Sequence, residues 1–148
     1  MTDELTRVAQ EAKVRAYAPY SGFRVGAALE TETGQVFSGC NVENASYGLT
    51  QCAERVALGA AVAAGYRRFR RLVIVADGEG AVAPCGACRQ VLGEFGAGVE
   101  VWSFGDEGKR HWALADLYPE PFSRMDLEGV RDGEQPGAGD PETMRPTS

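Results

Sequence analysis

The sequence has one histidine, four cysteines and no apolar run long enough to cross a bilayer, and each shortage narrows what the chain can do. The opening MTDELTR lacks the basic head and apolar stretch of a secretory leader. The longest weakly polar run, VALGAAVAAGY, falls short of the roughly 20 residues that a spanning helix needs. The expected location is the cytoplasm, with no membrane partner. Thiols stay reduced there, and a chain of 148 residues can build its own core without disulfide staples.

Positive charge is also scarce. The formal net charge is -6, and residues 126–148 hold six acids against two arginines, which leaves residues 1–125 nearly neutral. Such a body offers no general attraction to phosphate backbones, so no nucleic-acid partner is expected. The one basic run, Arg67, Arg68, Phe69, Arg70 and Arg71, stands between a helix-like and a strand-like segment and reads as a solvated connector.

The periodic segments describe a mixed sheet. Leu5, Val8, Ala9, Ala12 and Ala16 follow one helix face from Thr2 to about Ala16. Phe23, Val25, Ala27 and Leu29 alternate as a half-buried strand, Glu32 to Gly34 reads as a turn, and Val36 begins a returning strand. A buried helix over residues 52–64 stops at Gly65, and a strand covers Leu72 to Ala76. A second helix runs from Cys85 to about Phe95 with Gly96 as its stop, and Val99 to Phe104 is another strand. This order predicts an α/β fold with a sheet covered by helices, in one domain over residues 1–128. Residues 129–148, polar and rich in Gly and Pro, are expected to be a disordered tail.

The stretch PCGAC places Cys85 and Cys88 three apart, as a disulfide, a redox dithiol, half of a structural zinc site or part of a catalytic one would require. Cys52 opens the preceding helix as Cys85 opens the next, and each helix follows a strand segment. Both N-termini can then lie at one edge of the sheet, where exposed amides favour thiolates. Zinc held by three side chains keeps a position open for chemistry, whereas a structural site normally takes a fourth. The candidates for a fourth are Cys40, which reads as a small strand residue, and His111, which reads as a surface residue in a polar turn region. Glu54 decides between the readings, because a carboxylate two residues after Cys52 is not needed as a ligand and can carry protons beside the metal.

CAE followed by PCGAC, with 32 residues between Cys52 and Cys85, resembles the zinc-dependent nucleobase and nucleoside deaminases in their three-cysteine form. Within that superfamily the chain is similar to the small homotetrameric cytidine deaminases from about Tyr17 to Phe122. The most specific matches are AYAPYSGFRVGAAL, GCNVENASYG, CAER and PCGACRQVLGEF. The resemblance implies a three-layer α/β/α fold around a mixed five-stranded sheet. It also implies hydrolytic deamination of cytidine and 2'-deoxycytidine in pyrimidine salvage.

On this sequence the resemblance implies one Zn²⁺ per subunit on Cys52, Cys85 and Cys88, with Glu54 as the proton shuttle. It assigns Asn41 and Glu43 to the ribose, Phe23 to packing near the base, and backbone groups of Ala53 and Ala83 to the base carbonyl and amine. Phe122, in YPEPFS, matches a phenylalanine that reaches an adjacent subunit's active site, although it could also cap this chain's own core. Three thiolates on Zn²⁺ leave an excess negative charge, which the neighbouring Arg55 guanidinium would offset. The alternatives are a deaminase of another small aminopyrimidine nucleoside, such as a nucleoside antibiotic, and a zinc-stapled binding module in which Cys40 is the fourth ligand. A thioredoxin-like dithiol would leave Cys52 and Glu54 idle.

Overall fold

The computed structural model describes residues 2–128, so the polar tail expected over residues 129–148 lies outside the described residues. Helix α1 (Thr2–Val14) precedes a hairpin of β1 (Val25–Thr31) and β2 (Val36–Cys40). Helix α2 (Ala53–Ala63), β3 (Phe69–Ala76), α3 (Gly86–Gly93) and β4 (Glu100–Phe104) follow. The chain continues through β5 (Lys109–Ala113), α4 (Leu114–Leu117) and α5 (Met125–Glu128). The five strands lie in the order β2-β1-β3-β4-β5. Among the described strands, β3 and β4 pair in parallel, connected through α3, and the other neighbouring pairs are antiparallel.

The alternation of β1 sorts its side chains between two cores. Ala27 and Leu29 join Ala53, Ala57, Leu72, Ile74, Leu92 and Val101 under α2 and α3. Ala28 joins Leu5, Ala9, Val73 and Val75 under α1 on the other face. The sheet is therefore the middle of three layers, as expected for an α/β/α fold.

Two glycines bring helices close to the hairpin. A Cβ on Gly26 would stand 1.9 Å from the Ala9 carbonyl oxygen, and one on Gly39 would stand 2.5 Å from both the Ala53 carbonyl oxygen and the Ala57 nitrogen. Because neither residue has a side chain, α1 seats on β1 and the first turn of α2 seats on β2.

The basic run is divided: Arg67 and Arg68 lie in the connector after α2, whereas Phe69, Arg70 and Arg71 belong to a strand and are no solvated connector. β3 begins at Phe69, and Glu30 on β1 accepts hydrogen bonds from both Arg70 and Arg71, so the charges are paired across the sheet. Strand β5 was not expected from residue periodicity, and it places His111 on a strand instead of in a turn. His111 is exposed there, stacked on Trp102 and hydrogen-bonded to Glu100, and takes no part in the thiol cluster.

Candidate metal centre and substrate cavity

Cys52 is the N-cap of α2 and Cys85 the N-cap of α3, both in extended backbone. Strand β2 and the short turn at Tyr47–Leu49 lead into the first helix, and the loop after β3 leads into the second. Both helix starts consequently meet at one end of the sheet. Cys85 Sγ lies 3.7 Å from Cys52 Sγ and 3.4 Å from Cys88 Sγ, and the three sulfurs lie within 4.8 Å of one another. Cys88 N also donates to Cys85 Sγ at 3.5 Å, so the first turn of α3 closes on its own cap.

These residues fit zinc. Three sulfurs at the usual ~2.3 Å from a tetrahedral ion stand about 3.8 Å apart, close to the separations already present. All four cysteines are free, and Cys40 lies outside the cluster. The fourth-thiolate arrangement therefore has no support in the geometry.

The electrostatics around the sulfurs favour a thiolate at Cys52. Cys52 is lowered to about 5, first by a hydrogen bond from the Cys88 thiol and then by Arg55, against the cost of burial. Cys88, as the donor in that bond and fully buried, keeps its proton to higher pH while no metal replaces it. Arg55 Nη2 donates to the Thr50 carbonyl at 3.2 Å and approaches Cys52 Sγ at 3.6 Å. Its Nε is buried with no hydrogen-bond partner among the described residues, so this cation's nearest compensation is the thiol cluster.

Glu54 is only 6% exposed, and burial pushes its carboxyl above the usual carboxylate range, with the Cys52 thiolate adding to the rise. It nonetheless lines a cavity of about 240 Å³ together with Cys52 and Cys85. A buried carboxyl raised in this way holds a proton more readily than an ordinary one and can both take and return it. Phe23, Asn41, Ala53 and Ala83 line the same cavity. Val25, Thr50 and Val82 line it as well and were not anticipated. Val25 follows Phe23 at the spacing of one strand face and could have been found; Thr50 and Val82 lie in loops with no periodic signal.

Asn41 has a second task besides facing the cavity. Its Oδ1 accepts from Val25 N at 2.9 Å and its Nδ2 donates to the Phe23 carbonyl at 2.8 Å, so it clamps the start of β1. Glu43 is not in this cavity. Its carboxylate accepts from Tyr20 N, Ser21 N and Ser21 Oγ, and it lines an adjoining depression that shares Thr50 with the cavity. Phe122 is 60% exposed and lies outside the cavity, which argues against its capping this chain's own core. Gln90 Nε2 on α3 donates to its carbonyl at 2.9 Å.

Residues 1–104 match the family described as the cytidine and deoxycytidylate deaminase zinc-binding region. A cytidine deaminase of Sporosarcina psychrophila is 46% identical over 127 residues, spanning 84% of this chain and 93% of that protein. The cytidine deaminase of Mycobacterium tuberculosis is 48% identical over 124 residues, spanning 83% and 90%. A crystal structure of cytidine deaminase from Burkholderia pseudomallei superposes with a TM-score of 0.79 at 50% identity, covering 82% of this chain and 99% of that one. With its three thiols gathered at two helix caps beside a buried glutamate, this chain belongs to the cytidine and deoxycytidylate deaminase family of zinc-binding enzymes.

Proposed function

We propose that the chain hydrolyses cytidine and 2'-deoxycytidine to uridine and 2'-deoxyuridine, releasing ammonia, as a cytoplasmic salvage enzyme whose catalytic unit spans residues 1–128. The observation that carries this reading is Glu54, buried beside three convergent thiols yet open to a cavity sized for one small molecule. Zinc on Cys52, Cys85 and Cys88, when bound, supplies the Lewis acidity that makes a water nucleophilic near neutral pH.

The chain's own residues do the rest. Glu54 carries two protons in turn, the first from the attacking water to N3 of the pyrimidine and the second from the new C4 hydroxyl to the departing amine, as C4 gains oxygen and loses nitrogen. Phe23 packs near the base, and backbone groups of Ala53 and Ala83 meet its carbonyl and amine. Asn41 holds the ribose from within the cavity, and Glu43 reaches it from the adjoining depression. Arg55 offsets the excess negative charge of the thiolates. The working form is a homotetramer in which Phe122 completes a neighbouring subunit's site, and its exposure in the isolated chain supports that role.

The test is ammonia release from cytidine by the zinc-loaded protein, with Glu54→Ala beside it. Loss of at least ~100-fold in the variant, with zinc retained, is the expected result for a general acid–base residue. An intact protein that releases ammonia from a different aminopyrimidine nucleoside and not from cytidine would transfer the same chemistry to that substrate.

A further inference from the structure

Asp77 is the first residue after β3, where the chain enters the loop that carries Val82 and Ala83 to the cavity. Its carboxylate does not touch the cavity, yet it holds three parts of the structure together. Oδ2 accepts from Arg24 N at 3.0 Å and from Arg24 Nε at 2.9 Å. Oδ1 accepts from Lys13 Nζ, on the last turn of α1, at 3.0 Å. The Asp77 N–H in turn donates to the Arg24 carbonyl at 3.0 Å. Arg24 follows Phe23, whose own carbonyl is gripped by Asn41. The segment bearing Phe23 is thus fixed on one side by Asn41 and on the other by Asp77.

The loop that carries Val82 and Ala83 has an anchor of its own, the turn between β4 and β5. Asp106 N donates to the Gly78 carbonyl at 2.8 Å, and Gly108 N donates to that of Glu79 at 2.8 Å. That loop is therefore held at its start by Asp77 and further along by residues 106–108. The Asp77 carboxylate is the side-chain tie that fixes the segment bearing Phe23 against the start of the loop, beside the backbone bond from Asp77 N–H to the Arg24 carbonyl.

We infer that Asp77 is a positioning residue for substrate binding, which fixes the width of the base pocket by tying the backbone before β1 to the loop after β3. This rests on reading the cavity as the nucleoside site. A ligand held between two walls loses affinity when they separate, whereas proton transfer by Glu54 on α2 is not directly disturbed. The signature is a KM effect that exceeds the kcat effect.

The experiment compares Asp77→Ala, Asp77→Asn and Lys13→Met in the zinc-loaded full chain, each assayed well below its Tm. Steady-state kinetics on cytidine are paired with calorimetric binding of uridine. Asp77→Ala is expected to raise KM and the uridine Kd about tenfold, with kcat within about threefold and zinc content unchanged. Asp77→Asn keeps an acceptor for the Arg24 N–H and is isosteric, so it folds even where the alanine variant does not, and is expected to raise both constants about threefold. Lys13→Met removes only the α1 contact and is expected to lower Tm with KM unchanged. Asp77 variants with wild-type KM and uridine affinity, losing activity only with the folded fraction, would overturn the inference. So would a KM rise in Lys13→Met equal to that of Asp77→Ala. A wild-type chain that neither binds uridine nor acts on cytidine overturns the nucleoside reading and this inference with it.

Discussion

Arg55 Nη2 bridges the Thr50 carbonyl and Cys52 Sγ, at 3.2 and 3.6 Å, so a single guanidinium ties a metal-binding sulfur to the turn that precedes it. Removing it leaves the thiolate charge less compensated. In Arg55→Gln the acid limb of the pH profile of kcat/KM is expected to move up by about half to one pH unit, with kcat down about tenfold. A pH–rate profile together with zinc competition against a chromogenic chelator checks this. Unchanged zinc affinity and an unchanged profile would deny Arg55 its electrostatic role.

Glu30 gives the fold a measurable pH dependence. Hydrogen bonds from Arg71 and then Arg70 lower its carboxyl to about 2 in the folded chain, well below its value when unfolded. The stabilisation is therefore fully present above about pH 4.5 and is lost as pH falls towards 2. Arg70 is half-exposed, so solvent screening reduces the contribution to on the order of 1–2 kcal/mol. Denaturant titrations of wild type and Glu30→Gln should differ by about that amount at pH 7 and converge as pH falls to about 2. A gap that persists at low pH would mean packing, and not charge, makes the difference.

Gly39 is the seat of the first turn of α2, and a methyl group there has no space. Gly39→Ala should push the helix off β2, costing about 1–3 kcal/mol and carrying Cys52 and Glu54 away from Cys85 and Cys88. Thermal unfolding and the rate of zinc release are the two readouts. The variant is expected to unfold earlier and to release metal faster, whereas Gly59→Ala on the open side of the same helix, where a Cβ meets nothing within 4 Å, should do neither.

Phe122, if it serves a neighbouring site, permits a complementation test. The Phe122→Ala and Glu54→Ala proteins should each be nearly inactive on their own. Subunits of the two variants, mixed and reassociated, should recover a fraction of wild-type activity, because some sites then draw Glu54 and Phe122 from different chains. Mixtures no more active than their components would place Phe122 outside the shared site.

The centre was more legible in the sequence than its surroundings, for a physical reason. Cys52, Glu54, Cys85 and Cys88 lie at helix starts, where local pattern announces both the element and its end: Gly65 and Gly96 follow the two helices and have positive φ. Partners distant in sequence leave no such mark. Arg70 and Arg71 looked solvated because Glu30, which pairs with them, is some forty residues away. Glu43 seemed aligned with Asn41, but Tyr20 and Ser21 hold its carboxylate in the next depression. Strand β5 was hidden by its composition, since Lys109, Arg110 and His111 mask the alternation that a half-covered strand would show.

That same composition governs how copies of the chain can meet. β5 forms one border of the sheet, and its first three residues are exposed. Two such borders brought together would set cation against cation, while Trp102 already receives Lys109 and His111 from its own chain. Growth by adding strand to strand is therefore discouraged on that side, and the border works as a guard against open-ended fibres.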